Sequence, residues 1–311
     1  MDKFVNLHLH TEYSVGDATI KIPELLYTVK QNEQKAVAIT DHGTTEGWSD
    51  FYTTAWDTQI KPIFGCEFYC KPTLDKPKNN NRYHLVILAK NDDGAKLIKK
   101  MEYISTKHKY RKLLLPYPIL FDEGTDDLFI STACSLGTLG QAFDPEKEDL
   151  KPEDAEIFLN NLLDKFGKEN IAIEFQFHPD YATQSIINEK VLDLYNESDA
   201  KYCIATTDAH FISKSLSRQI IQADAWNKDI NTVTPSLDSN CLGTSEKVRK
   251  FAQLSNFSDL PLVEKMIENT SIIADKCNVQ HINNINQGRV LPKFNKHSNF
   301  KKIFMKKPER L

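Results

Sequence analysis

No stretch of this chain approaches the roughly 18 consecutive apolar residues of a membrane span, and its N-terminus has no apolar signal-peptide core. Neither a membrane-embedded protein nor a secreted one is expected. A basic excess is also missing. The formal net charge is −4, which excludes a histone-like or uniformly basic nucleic-acid binder. It leaves room for a nuclease, because bound divalent cations supply positive charge where a phosphate docks. Internal repeats and low-complexity tracts are absent. Cysteine is sparse, at six residues. Without a secretory signal these read as reduced thiols of a cytoplasmic protein. Cys66 and Cys70 lie four apart with no second pair, a poor zinc pattern, and Cys203 sits inside an apolar run as a core residue.

What is present is an ordinary composition, 40% hydrophobic and 26% charged over 311 residues, enough for one large α/β domain plus an appendage. Strand-like and helix-like patterns alternate with regularity. Buried strands are expected at 4–10, 36–40, 60–64, 84–89, 128–130, 171–175 and 202–206. Helical stripes separate most of them: Ile22, Leu25, Leu26 and Val29 behind Pro23; Trp48, Phe51, Tyr52 and Ala55; Leu97, Ile98, Met101 and Ile104; Ala155, Phe158, Leu159, Leu162 and Phe166 behind Pro152. Seven buried strands with helical crossovers argue a parallel sheet, closed as a barrel, with its chemistry at the C-terminal ends of the strands. Residues 74–82 read as an exposed loop. Beyond His210 the pattern is helical, with Leu262, Met266, Ile273 and Cys277 on one late helix, and the tail from Lys293 to Arg310 is basic.

Five of the nine histidines stand at strand tips among other metal-type ligands. His8 and His10, two apart on a strand, point to one face and are followed by Asp17. His42 follows the apolar run 36–39, and Asp208 and His210 follow 202–206. An isolated histidine at a strand end is more often a hydrogen-bonded surface group, and an aspartate there more often a cap or turn former. Pairing reverses those odds for His8 with His10 and for Asp208 with His210. For Asp17, Glu67, His84 and Cys134 the pattern leaves both readings open, and His84 sits at a strand's start, at the wrong end for a parallel barrel. A set rich in histidine favours zinc, manganese or iron over magnesium, which prefers oxygen ligands. A hydrolytic metal site is the expectation.

The ordered segments His8-Leu9-His10-Thr11-Glu12-Tyr13-Ser14, Thr40-Asp41-His42-Gly43, Gly65-Cys66-Glu67-Phe68-Tyr69, His84 to Asn91, Ser131 to Gly137, Ile173 to His178, Ala205 to Phe211, Glu268 to Ala274 and Leu291-Pro292-Lys293-Phe294 resemble the PHP (polymerase and histidinol phosphatase) domain. The form they look most like stands at the N-terminus of bacterial DNA polymerase III alpha subunits. The resemblance implies an α/β fold, a distorted (β/α)7 TIM-like barrel over 1–210. A small helical appendage over 211–296 would complete it, and 297–311 would form a basic tail. It implies nine metal ligands, His8, His10, Asp17, His42, Glu67, His84, Cys134, Asp208 and His210, holding up to three divalent metals with a formal site charge near +2. Of these, His8, His10, His42, Asp208 and His210 would carry catalysis. Asp41 is a candidate to orient an imidazole or to cap a helix, and His178 a phosphate contact or a surface histidine. Arg82 is a candidate DNA-backbone contact, and His108 sits in a Lys-rich helix with no role assigned. Two departures stand near the groove: Ala18 where glycine is usual, and Leu113 to Ile119 where the family often has Pro-Arg-Ile.

In alpha subunits Leu-Pro-Lys-Phe precedes the polymerase body, and here only residues 295–311 follow it. The resemblance therefore implies no polymerase palm in this chain, which would be a split, free-standing or truncated form. Its first implied function is metal-dependent phosphodiester hydrolysis as a 3′→5′ exonuclease in proofreading, with a DNA 3′ end as substrate. A second is a non-catalytic module docking on a separately encoded polymerase body or another replisome protein, with Phe294, Phe300, Ile303 and Phe304 of the tail as candidate contacts. A third is a small-molecule phosphatase of the histidinol-phosphate type, against which the helical appendage stands.

Overall fold

The computed structural model describes residues 2–73, 82–109, 112–213, 216–230 and 237–282. Residues 74–81 of the expected loop at 74–82, and the basic tail with its four apolar candidates, lie outside them. Strands β1 (Ala36–Ile39), β2 (Lys61–Lys71), β3 (Tyr83–Ala89), β4 (Leu114–Pro116), β5 (Leu128–Ser131), β6 (Ile171–Gln176) and β7 (Tyr202–Thr206) form one curled sheet in the order β1-β2-β3-β5-β6-β7, with β4 beside β2. Helices α1 (Ile22–Gln31), α2 (Trp48–Ala55), α3 (Asp92–Lys107), α4 (Tyr117–Glu123), α5 (Thr138–Phe143), α6 (Pro152–Phe166) and α7 (Ala182–Glu197) run between the strands. After β7 come α8 (Ser217–Ala225), α9 (Ser245–Leu254) and α10 (Leu260–Lys276). Among the described residues no helix is long and apolar enough to cross a membrane. Proline in the first turn opens α1, α6 and α10, where its missing N–H costs no helical bond. The Asn91 side chain caps α3 by accepting from the N–H groups of Asp93 and Gly94.

The α/β class and the barrel-like curl are as expected; the strand directions are not. The sequence pattern argues a parallel sheet, but β3 runs antiparallel to both β2 and β5. The reason is covalent. A parallel neighbour needs a crossover of a dozen or more residues, and only residues 72–82 separate β2 from β3. This reversal resolves the misfit of His84. At the start of an antiparallel strand, in register with Tyr69, it stands at the same end as the C-terminal tips of the others. The departure at Leu113–Ile119 contributes β4, an unanticipated edge strand that pairs Leu114 with Tyr69.

The segment 4–10, expected as a strand, is extended but lacks a regular ladder. It bridges the two sheet edges all the same. Ala38 N–H donates to Asn6 O (2.9 Å) and Thr40 N–H to Leu9 O (2.8 Å) on one side, while His10 N–H donates to Ala209 O (2.8 Å) on the other. Two residues of β1 and its tip thus span three of the segment, so one residue is extra, as in a bulge. Side chains take the N–H groups that the ladder misses: Thr270 Oγ1 accepts from Val5 N and Thr40 Oγ1 from Leu9 N, each at 2.9 Å.

Alternation along the strands sorts the interior into layers. Val5, Leu7, Ala36, Ala38, Ile63, Val86, Leu88, Phe129, Ala172, Tyr202 and Ile204 pack together inside the curl, and Ile273, Ala274 and Cys277 at the end of α10 close its lower mouth. The intervening residues, such as Val37, Phe64, Leu85, Ile87, Ile173 and Cys203, pack outward against the helices. Continuing the inward set up each strand gives Glu67, His84, Ser131, Glu174, Thr206 and Asp208. The segment 4–10 switches parity at its extra residue, so that Leu7 faces the apolar layer while His8 and His10 face the layer above.

Asn6 fixes that switch. It is buried, its Oδ1 accepts from Gly243 N–H (2.9 Å), and its Nδ2 donates to Gly243 O (3.1 Å). Asn6→Ala is expected to orphan the Gly243 N–H and lower stability by about 1–3 kcal/mol, read from the midpoint of urea unfolding at unchanged m.

Candidate metal centre

All nine residues singled out as ligands converge at the upper end of the sheet. Glu67 stands at the centre, buried with 1% of its surface exposed. Its Oε1 lies 3.2 Å from His8 Nε2 and 2.8 Å from His84 Nδ1, and its Oε2 lies 3.4 Å from His10 Nε2 and 2.7 Å from His42 Nδ1. Asp208 Oδ1 approaches His8 Nε2 at 3.2 Å and His10 Nε2 at 3.1 Å. Asp17 Oδ2 lies 3.1 Å from His42 Nε2 and 3.5 Å from His210 Nε2. Cys134 Sγ is 3.6 Å from His84 Nδ1. Backbone strain accompanies the placement: Asp208 (φ 45°) and Ala133 (φ 62°), next to Cys134, both occupy the left-handed region.

These contacts are close, yet many are not hydrogen bonds. Among the described residues nine buried side-chain nitrogen or oxygen atoms have no hydrogen-bond partner, and five of them are His8 Nε2, His10 Nε2, His42 Nδ1, Glu67 Oε2 and Asp208 Oδ1. Buried polar groups are rarely left so. Lone pairs that crowd one small volume without aiming at one another are the arrangement a cation satisfies. The residues present fit divalent metals. Three overlapping triads have ligand atoms within 4.8 Å of one another: His10, His42 and His210; His8, His10 and Glu67; His42, Glu67 and His84. Imidazole with carboxylate, and a thiol alongside, is a donor set for borderline transition metals.

Supporting residues hold the ligands. His8 Nδ1 meets Glu174 Oε1 at 2.7 Å. Glu174 in turn accepts from Ser131 Oγ (2.6 Å), Gln176 Nε2 (2.9 Å) and Thr206 Oγ1 (2.5 Å). With the Nδ1 proton given to Glu174, His8 keeps its Nε2 lone pair for the centre. Asp41 does not cap α2; it accepts from Ser14 Oγ (2.7 Å) and from Thr11 N and Oγ1, and Ser14 Oγ touches His10 Nδ1 at 3.1 Å. From α8, Arg218 Nη2 (2.9 Å) and Gln222 Nε2 (2.5 Å) donate to Asp17 Oδ1, leaving Oδ2 to the imidazoles.

Sequence reasoning missed Glu174, Ser14, Tyr69, Arg218 and Gln222. Glu174 had a signal, a carboxylate inside an apolar strand at the parity of Ala172. Arg218 had none. His178, read as a surface or phosphate-contacting histidine, is instead 4% exposed, with Nδ1 on Ser239 Oγ (2.6 Å) and Nε2 on Gln176 Oε1 (3.0 Å). Burial lowers its pKa to about 4. His108 is not within a helix, since α3 stops at Lys107 and His108 caps its end. Arg82 is half-buried at the rim, 5.6 Å from the Tyr69 ring centre. Cys66 and Cys70 are buried on the outward face of β2, and burial pushes both thiols up.

Electrostatics couple the site to protons. Burial pushes the Glu67 carboxyl up, but the charges of His84, His8 and His42 hold it well below the usual range. Burial disfavours the His42 cation, yet Glu67 and Asp17 outweigh it and raise the ring to about 9. His8 is raised likewise by Glu174, Asp208 and Glu67 against its own burial. A folded pKa above the unfolded 6.5 stabilises the metal-free protein fully below pH 6.5, and that contribution fades as pH rises through about 9. A divalent cation must displace these protons. Titration calorimetry in buffers of different ionisation enthalpy should therefore show proton release at pH 7–8, with apparent affinity rising towards pH 9. Glu174→Gln should retain the fold and weaken metal affinity about 10–100-fold in a chelator competition.

The chain was compared with known proteins. Residues 6–178 match the family model of the PHP domain. A DNA polymerase III subunit alpha from Campylobacter jejuni is 31% identical over 293 residues, covering 90% of this chain and 24% of that protein. The subunit alpha from Aquifex aeolicus is 32% identical over 221 residues, 68% of this chain and 18% of that protein. The chain thus spans about a quarter or less of the length of these relatives. Among solved structures, one assigned as a metal-dependent phosphoesterase from Bifidobacterium adolescentis is similar at 14% identity over 83% of this chain and 97% of that one, with a TM-score of 0.42. With a family model matched over more than half its length, this chain belongs to the PHP domain family.

Proposed function

We propose that this protein hydrolyses phosphodiesters with divalent metals and acts as a 3′→5′ exonuclease, proofreading alongside a DNA polymerase III alpha polymerase body. The observation that carries this reading is the set of five buried, unpartnered ligand atoms around Glu67 and Asp208. A purely structural histidine cluster would satisfy its polar atoms with one another. Similarity to polymerase alpha subunits over 90% of the chain, well beyond the family match at 6–178, favours the polymerase-type role over a small-molecule phosphatase.

Zinc, manganese or iron held by the nine residues would polarise phosphoryl oxygens and lower the pKa of water near neutrality. The chain's own contribution is alignment. Glu67 reaches four imidazoles and Asp208 at least two, so these carboxylates would help hold the cations among the rings. His8, His10, His42, Asp208 and His210 would form the catalytic set, with Glu174, the Ser14–Asp41 pair and Arg218 fixing their orientations. In the net reaction water adds to phosphorus, the bond to the penultimate 3′ oxygen breaks, and a nucleoside monophosphate leaves.

The test is incubation of a 3′-mispaired, 5′-labelled primer with purified protein and Mn²⁺ or Zn²⁺. Stepwise shortening from the 3′ end is expected, and the double variant His10→Ala/Asp208→Ala should eliminate it. A metal-loaded, folded protein that leaves the primer intact would defeat the exonuclease reading and turn attention to docking on a polymerase body.

A further inference from the structure

A cleft of about 500 Å³ opens beside the ligands, with Asp17, His42, Tyr69, Lys109 and Lys112 in its lining. These lysines belong to a local concentration of positive charge at the end of α3: Lys107, Lys109 and Lys112 are exposed, and Arg82 faces the same rim. Among the described residues none of these four cations has a carboxylate within ion-pair distance. By contrast Lys3, Lys35, Lys96, Lys100, Arg218 and Arg249 are each paired with one. Their neighbours are aromatic instead. Arg82 and Lys112 lie 5.6 and 5.3 Å from the Tyr69 ring centre, and that ring lies 5.5 Å from the His42 ring. Lys107 lies 4.7 Å from the ring centre of Tyr103, which is 63% exposed.

The helix dipole accounts for Lys107 in the last turn of α3, but not for Lys109, Lys112 and Arg82, which lie outside any helix. Unpaired like charges held together in a chain of net charge −4 repel one another, and an anion relieves that cost. Of the three acidic groups lining the cleft, Glu102 accepts from Thr45 N and Oγ1 (3.2 and 2.6 Å) and Asp17 from Arg218, while Glu46 is exposed to solvent. Lys107 lies beyond the cleft lining, so the positive track is longer than one phosphate ester would occupy. The exposed Tyr103 beside it offers a ring to an unstacked base.

We infer that Arg82, Lys107, Lys109 and Lys112, with Tyr103, form a binding track for the backbone of single-stranded polynucleotide, leading its end to the metal ligands. The inference rests on the phosphodiesterase reading for its direction, but binding can be measured without hydrolysis.

The experiment is fluorescence anisotropy of the full chain with a labelled single-stranded DNA 12-mer in EDTA, across a salt series. Lys107→Ala/Lys109→Ala/Lys112→Ala should weaken binding at least tenfold. It should also flatten the slope of log K against log salt by about 2, since each single-strand phosphate contact contributes about 0.7. Tyr103→Ala should weaken binding about fivefold or more with the slope unchanged. The control Lys96→Ala/Lys190→Ala/Lys201→Ala, three exposed lysines elsewhere, should bind like the parent. Equal losses in track and control variants, or no loss in either, would overturn the track. A duplex that binds as tightly as the single strand, with Tyr103→Ala silent, would overturn its single-strand character. Cleavage of bis(4-nitrophenyl) phosphate by the parent protein reports separately on hydrolysis. Track-dependent binding without any cleavage would uphold the track and sink the phosphodiesterase reading, and cleavage with track-independent binding would do the reverse.

Discussion

The arrangement of this molecule turns on one buried carboxylate. Glu67 sits in the middle of β2, with four imidazoles from three parts of the chain 2.7–3.4 Å from its two oxygens. An ionised carboxylate cannot stay in such a place without positive charge beside it. The rings therefore hold protons or share cations, and the fold must bring them there from residues 8, 10, 42 and 84. The parallel bridge of His42 to Glu67 and the antiparallel register of Tyr69 with His84 do this by main-chain hydrogen bonding. Two of the four rings thus ride on the sheet itself, which makes the site as rigid as the ladders.

The same alternation that builds the core builds the site. Along β6 the inward residues change from Ala172 to Glu174 to Gln176, and along β7 from Tyr202 and Ile204 to Thr206, with Asp208 just beyond its end. An apolar layer closed below by α10 carries a polar layer, Ser131, Glu174 and Thr206, and that layer orients the ligands above. Burial below provides the free energy that keeps strained positions such as Asp208 in place. The extra residue near Leu7 lets one short segment serve both layers, by turning Leu7 down and His8 and His10 up.

The helices after β7 are not remote from this chemistry. Asp17 is gripped by Arg218 and Gln222 of α8. Val5 gives its N–H to Thr270 of α10, and Asn6 locks onto Gly243 just before α9. The N-terminal segment that carries the first histidine pair is thus held from both sides, by the tip of β1 and by the C-terminal half of the described chain.

The sequence by itself determined which residues alternate, and therefore the class of fold and the pairing of His8 with His10 and of Asp208 with His210, while the full set of nine ligands came from the ordered family motifs. A period of two needs only neighbours along the chain, and a His-x-His or Asp-x-His pair at the end of an apolar run is local information. The direction of β3 is also implicit in the span of residues 72–82 between β2 and β3, too short for a parallel crossover. Only the tertiary structure decided the rest: the parity switch near Leu7, the edge strand β4, the burial of His178 and the grip of Arg218 on Asp17. Each of these depends on a partner 30 to 265 residues away, through a hydrogen bond whose two halves carry no mark of each other in sequence. A chain states its own periodicity, whereas which distant group completes a buried polar atom is settled only when the surfaces close around it.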